Sequence, residues 1–132
     1  MADGDQTIVQ TSADDRRNLE PNIKQVWERV ITATFDADDT TALSLPIPLN
    51  GILRHVTFTI PQTTTSRTKQ LQINDNGDNT IFDTGALANV AGASTTNYSV
   101  DEPLSGIIDV VVTIAGTLGG TGVAMVITLR GI

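Results

Sequence analysis

Cysteine is absent from this chain of 132 residues, which excludes a disulfide framework, thiolate zinc sites and a cysteine nucleophile. Basic residues are scarce as well. Eight Lys and Arg stand against fifteen Asp and Glu, and the net charge of −7 opposes a phosphate backbone or an anionic membrane surface. Neither nucleic acid nor a membrane is an expected partner. Long apolar runs are missing too: the longest are strand-sized and broken by Thr and Gly, short of the roughly 20 residues of a membrane-spanning helix. The N-terminus, MADGDQTIVQTSADD, is acidic where a secretory signal is basic, and it lacks an apolar core. A soluble chain that is not exported by that route is expected. Aromatics make up only 4% of the residues, and the single Trp27, among apolar neighbours, is expected in a core or an interface.

What the chain has in quantity is β-branched residues. Residues 106–132, GIIDVVVTIAGTLGGTGVAMVITLRGI, form two such runs around the glycine-rich segment 117–122. Val, Ile and Thr lose χ1 freedom in helices but fit a pleated surface, and the glycines tolerate the positive φ of a reversal, so a terminal β-hairpin is predicted. Within Val110-Val111-Val112 and Val123-Ala124-Met125-Val126-Ile127 neighbours point to opposite sides of a sheet, and one packed layer covers only half of them. A second covering surface is therefore expected. Val111, Val112, Val123, Met125 and Ile127 are the candidate packing or subunit-contact residues.

The rest of the chain is organised by turn signals about every ten residues. Residues 1–22 are polar and charged apart from Ile8-Val9, and are expected as a flexible or extended arm preceding a single domain, 23–132. Residues 23–35 admit either a helix started by Pro21 or a strand; the β-formers Val30 to Phe35 favour a strand over about 26–36, with Trp27, Ile31, Ala33 and Phe35 on one face. Pro46 and Pro48 each remove a ladder donor and assign 41–49 to a sheet edge. Asn50-Gly51 suits a type I′ turn, making 52–60 the partner strand of a hairpin with its even-numbered face buried. Segments 70–73 and 80–83 flank the turn Asn74 to Asn79 as a small hairpin, and 95–100 is a strand that Asp101-Glu102-Pro103 turns back. Seven or eight short strands and no helix predict an antiparallel all-β fold, a β-sandwich or jelly roll.

Chemistry-bearing clusters are few. Residues 74–83, NDNGDNTIFD, resemble an oxygen-ligand loop, but aligning Gly77 with the glycine of a calcium-binding EF loop places Gln72 at the first ligand position and Asp83 at the last, without flanking helices. A polar hairpin turn is the better reading. Asp36, Asp38 and Asp39 are expected as solvated turn residues, and His55 as a surface or interface histidine. Gly119, Gly120 and Gly122 precede a strand, so the helix terminus of a phosphate-binding loop is missing. No catalytic residue, metal ligand or cofactor site is expected, and no enzyme.

Taken together, the acidic arm, FDADDTTALSLPIPLNGILRHVTFTI and IIDVVVTIAGTLGGTGVAMVITLRGI resemble the small virion structural proteins of tailed bacteriophages, in particular capsid decoration (cement) proteins. The resemblance is one of style and rests on no diagnostic motif. It implies a non-enzymatic protein, made in the host cytoplasm and placed on the capsid surface. Such a protein oligomerises, often as a homotrimer, and binds the major capsid protein lattice across capsomer boundaries. The arm would then dock on a neighbour, with Ile8, Val9, Arg16 and Arg17 as contact residues. Two alternatives are a tail or head-to-tail component, and a carbohydrate-binding β-sandwich module that exposes Trp27 and Tyr98.

Overall fold

The computed structural model describes residues 7–16, 26–35, 42–62, 67–85, 87, 93–116 and 123–132. They contain nine strands: β1 (Thr7–Arg16), β2 (Val26–Phe35), β3 (Leu43–Pro48), β4 (Gly51–Ile60), β5 (Lys69–Asn74), β6 (Thr80–Asp83), β7 (Ser94–Leu104), β8 (Ile107–Ile114) and β9 (Val123–Gly131). Two antiparallel sheets result, ordered β1-β2-β9-β4-β7 and β3-β8-β5-β6. The pairs β2·β9, β3·β8, β4·β7 and β5·β6 are nested in sequence. This is the pattern of one long hairpin, with β5·β6 at its tip, rolled so that successive pairs fall in alternate sheets. The eight strands β2 to β9 thus form a jelly roll, and β1 lies outside the nested set as an additional edge strand.

Period-two patterning explains why the roll closes. In β8 Ile108, Val110, Val112 and Ile114 are buried, and in β9 Val123, Met125, Ile127 and Leu129. The same core takes Trp27, Ile31, Ala33 and Phe35 of β2 and Val56, Phe58 and Ile60 of β4, which flank β9 in the larger sheet, and Leu71 and Ile73 of β5, beside β8 in the smaller one. At about 1.5–3 kcal/mol for each fully buried large apolar side chain, these inner faces supply most of the driving force for folding.

The predicted terminal hairpin is not formed. β8 and β9 lie in different sheets, each between two other strands. Their second faces are half-buried: Val111 stands beside Ser44 and Gln72, and Val126 beside Thr32 and Thr59. Two-sided apolarity is therefore largely satisfied by central positions in two sheets; Ile107, at the start of β8, is 51% exposed. The glycine-rich segment 117–122 lies outside the described residues.

Asn50-Gly51 is likewise a crossover between sheets and not a type I′ hairpin turn. Leu49 N–H donates to the Gly106 carbonyl (2.9 Å), and Gly106 N–H donates to Asn50 Oδ1 (3.0 Å), so the β3–β4 and β7–β8 crossings are tied together. Gly106 has φ of 88°, a conformation that favours glycine. A side chain on Gly131 would run into the Ile52 carbonyl and the Trp27 ring. β7 continues through Asp101-Glu102-Pro103, and the reversal comes after Leu104.

The even-numbered face of β4 is buried only from Val56 onward. A β-bulge between Leu53 and His55 resets the pleat, so that Leu53 is buried while Arg54 is exposed and pairs with Asp101 at 3.4 Å. Several expectations match the structure: the strand over 26–35 with its named face, the edge position of the Pro46/Pro48 segment, and the β5–β6 hairpin. The expected arm is partly a strand, because β2 offers residues 7–16 a ladder to pair with.

Phe58→Ala removes a fully buried ring from the central strand β4 and is expected to cost about 3–5 kcal/mol. Urea unfolding followed by circular dichroism measures it, and a loss below about 1 kcal/mol would show that Phe58 is not in the core.

Candidate functional site

The outer face of the five-stranded sheet carries polar side chains from all five strands. Register aligns its side chains in rows. One runs Ser99, His55, Arg130, Glu28 across β7, β4, β9 and β2. The next runs Asn97, Thr57, Thr128, Val30 and ends on Ser12 of β1; a third runs Thr95, Thr59, Val126, Thr32 and ends on Val9. The rows exist because successive residues of a strand point to opposite faces, so positions paired across neighbouring strands share one face of the sheet.

Hydrogen bonds fix the polar groups in this face. Asn97 Oδ1 accepts from the Thr57 hydroxyl at 2.8 Å and lies 3.3 Å from His55 Nε2. Arg130 Nε donates to Glu28 Oε2 at 2.7 Å. Both partners of that pair are solvent-accessible, so it orients two planar groups more than it stabilises the fold. The amide NH2 of Asn97, the imidazole edge, the guanidinium fork and a row of hydroxyls thus lie side by side on one rigid support. Such an array presents hydrogen-bond donors and acceptors side by side at the surface. Sequence reading left Asn97, Thr57, Glu28 and Arg130 unnamed, because they come together only through the order β7-β4-β9-β2.

The second polar constellation is the turn between β5 and β6. Asp75 Oδ1 accepts from the backbone N–H groups of Gly77 and Asn79, both at 2.9 Å, while Asp75 N–H donates to the Asn79 carbonyl at 2.8 Å. The Asn79 N–H, with the Gly77 N–H and the Asn79 side chain adding to it against a small desolvation, holds the Asp75 carboxyl below the usual carboxylate range. Asp83 is lowered first by the Gln70 amide (2.7 Å), then by Gly85 N–H (2.7 Å) and the Gln72 amide (3.1 Å). These carboxylates are occupied in closing a turn. Among the described residues no group of three or more His, Cys, Asp or Glu is placed to hold a metal ion.

The remaining candidates separate by burial. Val112, Val123, Met125 and Ile127 face the core and are not available as subunit contacts, whereas Val111 is half-buried on the outer face. Val9 is 49% exposed on the outer face of β1, and Ile8 is half-buried against the core margin. Arg16 ends β1; Arg17, Asp36, Asp38, Asp39, Gly119, Gly120 and Gly122 lie outside the described residues. Trp27 is 5% exposed, with the Arg29 guanidinium carbon 6.0 Å from its ring centre. It offers no stacking surface, which corrects its candidacy in a sugar platform. Tyr98 is half-buried and packs edge-on against Phe82, 5.2 Å between ring centres, closing the margin where β7 faces β6. Lys69 is buried at the start of β5, and desolvation lowers its ammonium pKa.

No family model matches the chain, and no curated protein matches it. Among solved structures it is similar to a CBM4 structure (TM-score 0.45, 16% identity, 96% of this chain and 76% of that one). It is also similar to the carbohydrate-binding module CBM6cm-2 from Cellvibrio mixtus lichenase 5A in complex with cellotriose (TM-score 0.42, 11% identity, 94% and 89%). A third similarity is to Bacillus endospore appendages, described as disulfide-linked pili (TM-score 0.42, 16% identity, 99% and 93%). Scores at this level transfer no ligand or partner to this chain.

The depressed carboxyls of Asp75 and Asp83 make a prediction about acid. A group whose pKa is lower folded than unfolded stabilises the fold above its unfolded value, and that contribution is lost as pH falls through the folded value. An Asp75→Asn/Asp83→Asn variant should be less stable than the parent near neutrality and should lose less between about pH 5 and pH 2. Thermal midpoints across that range test it; parallel curves for the two proteins would contradict the assignment.

Proposed function

We propose that this chain is a non-enzymatic structural subunit of a larger particle, of the capsid decoration type that its sequence resembles. The observation that carries the reading is the state of the five-stranded sheet's edges. β7 runs uncharged and without proline or register shift from Ser94 to Ser99 at one edge, and β1, interrupted by one bulge between Gln10 and Ser12, presents its free side at the other. The smaller sheet is blunted by contrast: Pro46 and Pro48 sit in its edge strand β3, and its other edge, β6, spans only Thr80–Asp83. Long open edges invite association with further strands, and a free-standing protein usually protects them. Itself and a lattice of capsid subunits are the partners this reading supplies, with the virion as location.

A second reading rests on the Asn97, His55, Thr57, Arg130 and Glu28 array. It would make the outer face a carbohydrate-binding surface working through hydrogen bonds and not through tryptophan stacking. Jelly rolls serve in viral capsid and lectin domains alike, so the architecture does not decide between the two.

Light scattering on the purified full chain at micromolar concentration should return a multimer; a monomer at every concentration would overturn the subunit reading. For the second reading, oligosaccharides should shift the backbone NMR signals of His55, Thr57 and Asn97, and Asn97→Ala should abolish the shifts. Silence across a glycan panel would remove it.

A further inference from the structure

We propose that β1 is an exchangeable strand: in the assembled protein it leaves its own β2 and pairs with β2 of a second copy of this chain, in the register it shows within one molecule. The inference rests on the subunit reading above and names the partner surface.

Three observations carry it. First, the eight strands β2 to β9 complete the nested pairing without β1, so the domain does not need that strand to close. Second, none of the described side chains of β1, Thr7 to Ala13, is buried; six are exposed and only Ile8 is half-buried. Every other strand apart from the four-residue β6 buries at least one apolar side chain. Among the described residues β1 is held by its ladder to β2, by the Thr11 hydroxyl on the Val30 carbonyl (3.2 Å) and beside the Thr32 hydroxyl (3.4 Å), and by the margin contact of Ile8. Third, residues 17–25 separate the two strands, a connection that reaches at most about 30 Å when extended, far longer than an adjacent antiparallel pair requires.

The occupant follows from the fit already present. The groove along β2 accepts TIVQTSADDR in one register, with Val9 beside Thr32 and Ser12 beside Val30. A second copy supplies that same segment, so every hydrogen bond lost within one molecule is regained between two. Exchange therefore costs no contact, only the freedom of the partners, and each reciprocal pair ties the subunits twice. This gives the N-terminal segment a cross-linking role without any surface beyond those seen in the single chain.

The absence of cysteine makes the test direct. A Val9→Cys/Thr32→Cys variant of the full chain, oxidised mildly after assembly and run on non-reducing denaturing gels, should yield covalent dimers or larger species that thiol returns to monomer. The yield should not fall when the assembled protein is diluted before oxidation. Ser12→Cys/Val30→Cys, beyond the β-bulge that lies between Gln10 and Ser12 of β1, should give the same products. If both variants are multimeric by light scattering but oxidise only to single chains, exchange is overturned and the subunit reading stands. If the parent is monomeric, the subunit reading itself has failed. Absence of any disulfide in both variants would contradict the shared register and overturn the proposal.

Discussion

The nested pairing of β2 with β9, β3 with β8, β4 with β7 and β5 with β6 is the constraint on which the rest of the molecule depends. Seven of these eight strands bury side chains from one side of the pleat, and rolling the nested hairpin brings those sides face to face. Val123, Met125, Ile127 and Leu129 of β9 illustrate the scale: four buried side chains at about 1.5–3 kcal/mol each anchor one strand. Among its described side chains, Thr7 to Ala13, β1 has a single half-buried Ile8 to set beside them, for about 1 kcal/mol on the same scale. The roll is therefore strong where strands are nested and weak where one has been added.

That imbalance shapes the surfaces available for function. The same pairing order that fills the core sets Asn97, Thr57 and His55 beside Arg130 and Glu28 on the outer face, and leaves β7 and β1 at the edges of the larger sheet. Proline and short length protect the smaller sheet. Association through the larger sheet is the behaviour proposed from these edges, and the net charge of −7 would oppose indiscriminate self-contact.

Local patterns were legible in the sequence and long-range pairings were not. Alternation from Trp27 to Phe35 and the Pro46/Pro48 edge could be read directly, because each follows from the geometry of a single strand. Asn50-Gly51 and the terminal glycines resemble hairpin turns, since a crossover between sheets and a hairpin within one demand similar backbone freedom. What separates them is the partner: β8 pairs with β3 and β5, β9 with β2 and β4, and those choices depend on residues far away in the chain. The bulge that turns Arg54 outward was hidden for a related reason, because an extra residue leaves the apolar pattern readable on either side of it. The polar array on the outer face has no local signature at all.

Native-state hydrogen exchange on the full chain measures the central claim most directly, namely that a complete eight-stranded roll carries a loosely held ninth strand. Amides of β1 from Ile8 to Ala13 should exchange through local opening, orders of magnitude faster than those of Met125 to Leu129, which should exchange only with global unfolding. Equal protection in the two segments would contradict the account, because it would make β1 an integral part of the folded unit.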